Sequence, residues 1–177
     1  MTPSPQPLPA RPLRPALPVI PVLFLDIDGP LIPFGGSDHA TYGHEPSAPD
    51  ANPLLARIDP GLGPCLLGLP CELVWATTWG EEANTEVAPR LGLPALPLLG
   101  WTREEGRLHW KTRPIVEWAN GRPFVWIDDE ITDADRAWVA SAHPGPALLY
   151  RIDPQLGLTE ADLQEVARWL RAPSSRL

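Results

Sequence analysis

The stretch Val22-Leu23-Phe24-Leu25-Asp26-Ile27-Asp28-Gly29 decides the fold class of this chain. A short apolar run that ends in turn residues is typical of a buried strand in a parallel sheet. Two later runs have the same form, because Leu73-Val74-Trp75-Ala76 leads into Thr77-Thr78 and Phe124-Val125-Trp126-Ile127 leads into Asp128-Asp129. In such sheets ligands bind at the carboxyl ends of the strands. The three runs therefore predict that carboxylates and hydroxyls converge on one edge of one sheet.

Strands alternate with helices along the rest of the sequence. We predict five strands, of which the first ends at about Ile27 and the others cover about 72–76, 94–99, 123–128 and 147–152. Helices are predicted at about 59–69, 80–91, 112–120, 133–142 and 159–170, and Thr112 is expected to cap the third of them. This alternation predicts an α/β fold, a three-layer Rossmann-like parallel sheet with helices on both faces.

The composition changes at both ends of the predicted domain. Residues 1–18 contain seven prolines, which predicts a Pro-rich disordered tail or, alternatively, a docking segment for a protein partner. We expect the α/β domain to cover residues 19–171 and a flexible polar tail to cover 172–177. Residues 30–52 are rich in Gly, Pro and Ser, and long loops of this kind are often lids over functional sites.

The charge and cysteine content limit the partners and the compartment. The 177-residue chain has a formal net charge of -8, which disfavours unaided binding to nucleic acid or to an anionic membrane. No apolar run is long enough to span a membrane, and prolines interrupt any signal-peptide core, so we expect neither. Cys65 and Cys71 lack metal-site spacing and are interpreted as free thiols, which favours a cytoplasmic location.

Acidic residues dominate the predicted sheet edge. Asp26 and Asp28 are two positions apart and point the same way in an extended chain. Two carboxylates this close repel unless a cation or a shared proton lies between them, and Mg²⁺ prefers such oxygen ligands. Their pKa values can also be pushed apart, which suits one to act as nucleophile and the other as general acid and base. Asp128, Asp129 and Asp133 offer further metal ligands.

Hydroxyls and one ammonium complete the pattern. Thr77 and Thr78 can donate hydrogen bonds to phosphoryl oxygens, and Lys111 can neutralise charge on a transferring phosphoryl group. Each feature alone has an ordinary explanation, since an isolated Lys is usually solvated and an Asp pair often forms a turn. Their joint order, each after a predicted buried strand, favours a Mg²⁺-dependent phosphoryl-transfer site.

The order Asp-x-Asp-Gly, Thr, Lys, Asp-Asp resembles the haloacid dehalogenase-like (HAD) superfamily. The motifs carry the resemblance over about residues 19–135, and the strand–helix order extends it to about 170. The chain is similar to small actinobacterial-type HAD domains, which carry a Trp-Ala-Thr-Thr-Trp segment and a Trp-Ile-Asp-Asp-Glu segment. These segments are Trp75–Trp79 and Trp126–Glu130 here.

The resemblance implies a phosphatase that works through an aspartyl-phosphate intermediate. It also implies a minimal cap domain or none, which leaves the site open to small or larger phosphate esters. The implied roles are nucleophile for Asp26 and general acid and base for Asp28. Thr77 (or Thr78) and Lys111 are implied to bind the phosphate. The implied Mg²⁺ ligands are Asp26, the backbone carbonyl of Asp28, Asp128 and Asp129, with Asp133 as an outer ligand.

Three other functions fit parts of the pattern. A response-regulator receiver also groups acids, a Thr and a Lys around Mg²⁺, but its middle strand ends in an Asp where this chain has Thr77-Thr78. A catalytically silent HAD-like binding module would keep the same residues without turnover. A phosphatase that processes nucleic-acid ends is the third, with Trp79, Trp101 and Trp110 either stacking on a base or lying in the core.

Overall fold

We describe residues 19–36, 38–43, 52–100 and 107–172 of a computed structural model. The predicted Pro-rich tail and Trp101 lie outside these ranges, as do residues 37 and 44–51 of the predicted 30–52 loop and residues 173–177 of the predicted C-terminal tail. Within the described residues, no helix is long and apolar enough to cross a membrane.

Four parallel strands form the central sheet. They are β1 (Val22–Leu25), β2 (Glu72–Trp75), β3 (Phe124–Asp128) and β4 (Ala147–Arg151), in the spatial order β2-β1-β3-β4. In the register, Leu25 lies between Trp75 of β2 and Ile127 of β3, so the carboxyl ends of the three strands coincide. The residues that follow these strands are therefore placed along one edge of the sheet.

Helices cover both faces of the sheet. They are α1 (Leu62–Leu67), α2 (Ala88–Leu91), α3 (Thr112–Ala119), α4 (Asp133–Ala142) and α5 (Glu160–Arg171), with a 3-10 helix over Pro53–Arg57 and a π-helical turn over Ala83–Val87 that leads into α2. The described residues between β1 and α1, and between α2 and α3, form no separate cap domain.

The two faces follow from the alternation of side chains along each strand. Leu23 and Leu25 of β1 belong to a core layer with residues of α1, α2 and α5. Val22 and Phe24 point the other way, into a layer with Ile115 of α3 and residues of α4. The predicted α/β sheet with helices on both faces is confirmed.

The segment 94–99, which we predicted to be a fifth strand, runs beside β2 without becoming one. The Trp75 backbone N–H donates to the Pro97 carbonyl at 2.9 Å, and the Leu99 N–H donates to the Trp75 carbonyl at 2.8 Å. Pairing stops at this single bridge because Pro97, which faces β2, has no N–H to continue the ladder.

Two predicted helix details also differ. The helix predicted over 80–91 is the π-helical turn followed by the short α2, with Pro89 near the start of α2. Thr112 was expected to cap α3, but the N-cap position belongs to Lys111, and the Thr112 hydroxyl donates to Asp135 at 2.6 Å. The capping prediction is wrong because a tertiary acceptor outcompetes the local backbone for this hydroxyl.

Glycine at position 63 is required by the contact between α1 and α2. A Cβ built on Gly63 would lie 1.7 Å from the Leu91 carbonyl oxygen. We predict that Gly63→Ala lowers the free energy of unfolding by about 1–3 kcal/mol, because the backbone of one helix must shift. Urea titration measures this.

Gly68→Ala is the matched control, since a Cβ there has only ordinary contacts at 3.4 Å. Its effect should stay within about 0.5 kcal/mol of the parent. Equal losses in the two variants would contradict the proposed contact.

Candidate active site

The site lies where the strand order of the sheet reverses. From β1 the chain first adds β2 on one side and then adds β3 and β4 on the other. Such a reversal opens a crevice at the carboxyl ends of the two strands that meet there, here β1 and β3. Asp26 directly follows β1, and Asp128 is the last residue of β3.

Lys111 joins these two acids. Its Nζ lies 2.5 Å from Asp26 Oδ2 and 2.7 Å from Asp128 Oδ2, and the whole residue is only 2% exposed. It occupies the N-cap position of α3, so the helix start fixes the root of the side chain. Lys111 is therefore not a solvated surface lysine but the centre of a buried charge group.

Three carboxylates cluster beside this ammonium. One oxygen from each of Asp26, Asp128 and Asp129 lies within 4.8 Å of the others, and all three residues are buried. Gly29 makes room for them, because it has φ +85° and a Cβ there would lie 2.6 Å from Asp129 Cγ. Three carboxylates against one ammonium leave an excess of negative charge. Hard oxygen donors with such an excess fit a divalent cation of the Mg²⁺ type.

Two of the predicted metal-ligand acids are not in this cluster. Asp133 is exposed in the first turn of α4. The Asp28 carboxylate is half-buried and accepts a hydrogen bond from the Trp79 indole Nε1 at 2.9 Å, so the predicted Asp28 ligand remains its backbone carbonyl. The geometry therefore groups Asp129, rather than Asp133, with Asp26 and Asp128.

The two predicted phosphate-binding threonines differ in exposure. Thr77 is 4% exposed and follows β2 at the same sheet edge, whereas Thr78 is exposed. The Trp79 backbone N–H approaches Thr77 Oγ1 at 3.5 Å, within the turn that also brings the Trp79 indole to Asp28. Of the two hydroxyls, that of Thr77 belongs to a buried residue and is the better candidate.

Burial shifts the pKa of two of the three clustered carboxyl groups. It raises the pKa of Asp26 to about 7, and the Asp128 carboxylate adds to this while Lys111 opposes it. Burial also raises the pKa of Asp129, with a contribution from Asp128. Burial alone would lower the pKa of Lys111, but Asp26 and Asp128 together raise it. The ammonium thus stays charged, and the surplus negative charge is relieved by a proton unless a cation is present.

Asp128 is held by donors on both of its oxygens. The Trp126 indole Nε1 donates to Oδ2 at 3.1 Å, alongside Lys111. The Glu130 backbone N–H donates to Oδ1 at 2.9 Å. The Glu130 carboxylate also accepts a hydrogen bond from His109 Nε2 at 3.0 Å, and His109 Nδ1 accepts one from the Lys111 backbone N–H at 3.3 Å. These bonds leave Asp128 little freedom to turn.

Asp135 connects the start of α3 to the start of α4 through hydrogen bonds. It is fully buried and accepts from the His109 backbone N–H at 2.8 Å and from the Thr112 hydroxyl at 2.6 Å. It also caps its own helix by accepting from the Thr132 backbone N–H at 3.0 Å. Burial would raise the pKa of Asp135, but the hydrogen bonds from Thr112, Thr132 and His109 lower it overall. An ionised Asp135 thus fixes the segment that carries Lys111.

The sequence interpretation missed Trp126 and Asp135, although signals for both exist. Trp126 lies two residues before Asp128, so the alternation of a strand places both on one side. Thr132-x-x-Asp135 has the form of a capping box, and the structure contains that box. Trp79 was considered as a stacking or core residue, but its hydrogen bond to Asp28 depends on a contact between residues 51 positions apart.

Comparison with known protein families supports this geometry. A family model described as "HAD domain in Swiss Army Knife RNA repair proteins" matches residues 22–163, which include every strand and the whole acid cluster. The chain belongs to this HAD family. HAD domains are typically Mg²⁺-dependent phosphohydrolases. Searches of the curated proteins and of the solved structures found no match.

The raised pKa of Asp26 predicts how stability depends on pH without divalent ions. Between pH 3.8 and about 7 the folded chain holds a proton on Asp26 that the unfolded chain releases. Protonated Asp26 therefore contributes to the free energy of unfolding at low pH. This contribution is lost as the pH rises, by up to about 1.4 kcal/mol per pH unit. Asp26→Asn cannot release a proton, so we predict that its stability relative to the parent rises over this range and is constant above it.

Urea titrations at several pH values in EDTA measure this difference. Asp133→Asn removes an exposed acid and should differ from the parent by a nearly constant amount. A flat difference for Asp26→Asn as well would mean that Asp26 is already ionised in the folded chain at low pH.

Proposed function

We propose that this chain is a Mg²⁺-dependent phosphomonoesterase that works through an aspartyl-phosphate on Asp26. The observation that carries the proposal is the buried Lys111 ammonium between Asp26 and Asp128, with Asp129 beside them. This arrangement places a positive charge, the Lys111 ammonium, next to a nucleophilic carboxylate, Asp26, so that the ammonium can bind the oxygens of a phosphoryl group that Asp26 attacks. The family match supports the same class of activity.

In the first step an oxygen of Asp26 attacks the phosphorus in line with the departing oxygen. The ester P–O bond breaks, and Asp28 gives a proton to the leaving oxygen. Lys111 and the Thr77 hydroxyl face the phosphoryl oxygens, and Lys111 offsets their charge. Mg²⁺, held by Asp26, Asp128, Asp129 and the Asp28 carbonyl, would supply the remaining positive charge.

In the second step Asp28 acts as a base. It takes a proton from a water molecule, whose oxygen attacks the phosphorus of the aspartyl-phosphate. The bond between phosphorus and the Asp26 oxygen breaks, inorganic phosphate leaves, and Asp26 is restored as a carboxylate. The same side chain therefore donates a proton in one step and accepts one in the next.

A phosphatase for RNA ends is a second candidate. It is favoured by the description of the matching family, which refers to RNA repair proteins. The net charge of -8 opposes binding of a nucleic acid without a basic partner, because phosphate contacts need Lys and Arg. RNA ends would therefore be substrates of an assembly in which another protein binds the strand.

We predict Mg²⁺-dependent hydrolysis of p-nitrophenyl phosphate that EDTA abolishes. Asp26→Asn should lower turnover by at least about a thousandfold, because the nucleophile is absent while the shape of the side chain is kept. The measurement is release of p-nitrophenolate, with circular dichroism to verify folding. Exposed Asp133→Asn is the matched control and should retain turnover.

Turnover by Asp26→Asn at the level of the parent would exclude Asp26 as the nucleophile. A folded parent that binds Mg²⁺ but hydrolyses neither p-nitrophenyl phosphate nor any other ester of a broad panel would instead support a silent binding module.

Trp79 is predicted to position Asp28. Its indole N–H donates to Asp28 Oδ2 and fixes the orientation of this carboxyl group, so we assign the exchange of a proton with the leaving group to the other oxygen, Oδ1. Trp79→Phe should lower kcat/KM for phenyl phosphate about tenfold. The loss should be smaller for p-nitrophenyl phosphate, because p-nitrophenolate leaves without needing a proton.

The matched control is Trp169→Phe, which changes a half-buried tryptophan of α5. Its kcat/KM should be unchanged for both esters. Equal losses for the two esters in Trp79→Phe would mean that Trp79 supports the fold of the turn and not proton transfer.

A further inference from the structure

A second concave site lies beside the acid cluster. It is a cavity of about 200 Å³, lined from residues 30–33, 38–42, 57–62 and 155–158. None of its lining residues belongs to the acid cluster. A cavity of this size is smaller than the roughly 300–1,000 Å³ of sites for drug-sized ligands, so it suits a single ring system.

The turn after Asp28 connects the cavity to the reacting groups. Gly29 packs against Asp129, and the next residue, Pro30, lines the cavity. The Pro30 carbonyl accepts from the Leu158 N–H at 2.7 Å, and a Cβ on Gly157 would lie 3.3 Å from that carbonyl oxygen. The acid cluster and the cavity thus share the backbone of Gly29–Pro30. The cavity therefore adjoins the turn that directly follows Asp28.

The lining contains hydrogen-bonding groups with capacity for a ligand. His39 Nε2 is buried and has no hydrogen-bond partner among the described residues, which is unusual for a buried polar atom. Arg57 Nη1 donates to the Pro33 carbonyl at 2.7 Å, which keeps the guanidinium in the wall. The Tyr42 hydroxyl hydrogen-bonds to Asp59, and partial burial together with this carboxylate raises the pKa of Tyr42. The hydroxyl thus stays protonated, and its oxygen can accept a hydrogen bond from a ligand.

Apolar surface lies next to these polar groups. Leu156 is 72% exposed and Tyr42 is 40% exposed, and both line the cavity. Large apolar side chains exposed at the rim of a polar cavity are typical of a surface on which a planar group stacks. The cavity therefore offers apolar surface to the faces of a ring and donors or acceptors to its edge.

We propose that this cavity binds the nucleoside leaving group of a phosphate monoester. The inference rests on the proposed phosphatase activity. Asp38 and Asp59 line the cavity together with Arg57, so a second phosphate group on the ligand is disfavoured and a neutral, hydrogen-bonding ring is favoured. A nucleoside has this character, whether it is part of a mononucleotide or the last residue of an RNA strand.

The test compares kcat/KM for AMP with kcat/KM for glycerol phosphate, which lacks a ring. We expect the parent to favour AMP at least about tenfold, and Leu156→Ser and His39→Phe each to lower this ratio about tenfold. Leu67→Ser is the matched control, since Leu67 is a 52% exposed leucine on α1 that does not line the cavity. It should leave the ratio unchanged.

Equal kcat/KM for the two esters in the parent, or equal ratios in Leu156→Ser and the parent, would overturn the proposal. A dinucleotide with a terminal phosphate distinguishes the source, because it is too short to need a second protein that binds the strand. A higher kcat/KM than for AMP identifies a strand end, and an equal or lower value identifies a mononucleotide.

A calorimetric titration of AMP into the Mg²⁺-loaded Asp26→Asn variant separates this proposal from the phosphatase activity. If the parent hydrolyses no ester, the proposed function fails, and the cavity is then judged by binding alone. Binding that Leu156→Ser weakens about tenfold would support the nucleoside site, whereas no binding would overturn it.

Discussion

The structure of the site depends on one buried ammonium between two buried carboxylates. Lys111 is almost fully removed from water, and its charge is tolerable only because Asp26 and Asp128 both lie within 2.7 Å of Nζ. Those acids can meet at one point because β1 and β3 are neighbours in register. Removal of the ammonium would leave three carboxylates facing one another in a poorly solvated space. The sheet register therefore brings the two carboxylates together, and the Lys111 ammonium makes their burial tolerable.

A second layer of hydrogen bonds keeps the ammonium in place. Asp135 accepts from the backbone of His109 and from the hydroxyl of Thr112, on either side of Lys111 in the sequence. On the opposite side, Trp126 and the Glu130 backbone hold the Asp128 carboxylate. A network with most of its members satisfied loses little freedom when substrate arrives. The positions of the charges are thus set before any phosphate is bound.

Local patterns predicted the frame of this molecule, and tertiary contacts decided the rest. The apolar runs that end in Asp26, Thr77 and Asp128 located three strands, because buried parallel strands leave a strong local signal. The segment 94–99 looked equally apolar, but Pro97 lacks the N–H that would extend its pairing with β2 beyond a single bridge. Sequence spacing placed Asp133 among the candidate ligands, yet the helix start directs it to solvent. Lys111 had no local signal of burial at all, so only the order of the motifs pointed to it.

The distribution of rigid and variable parts explains how such a site acquires a particular substrate. The charged groups of Lys111 and the acid cluster stand at strand ends and a helix start, where the backbone is fixed by the sheet. The cavity beside them is built from the turn after β1, the 3-10 helix region and the loop before α5. Loops tolerate substitution far better than strands do. Because Gly29–Pro30 joins the two regions, the lining of the cavity can change without moving the ammonium or its carboxylates. In the proposed function, selection of the leaving group is therefore separable from the chemistry on phosphorus.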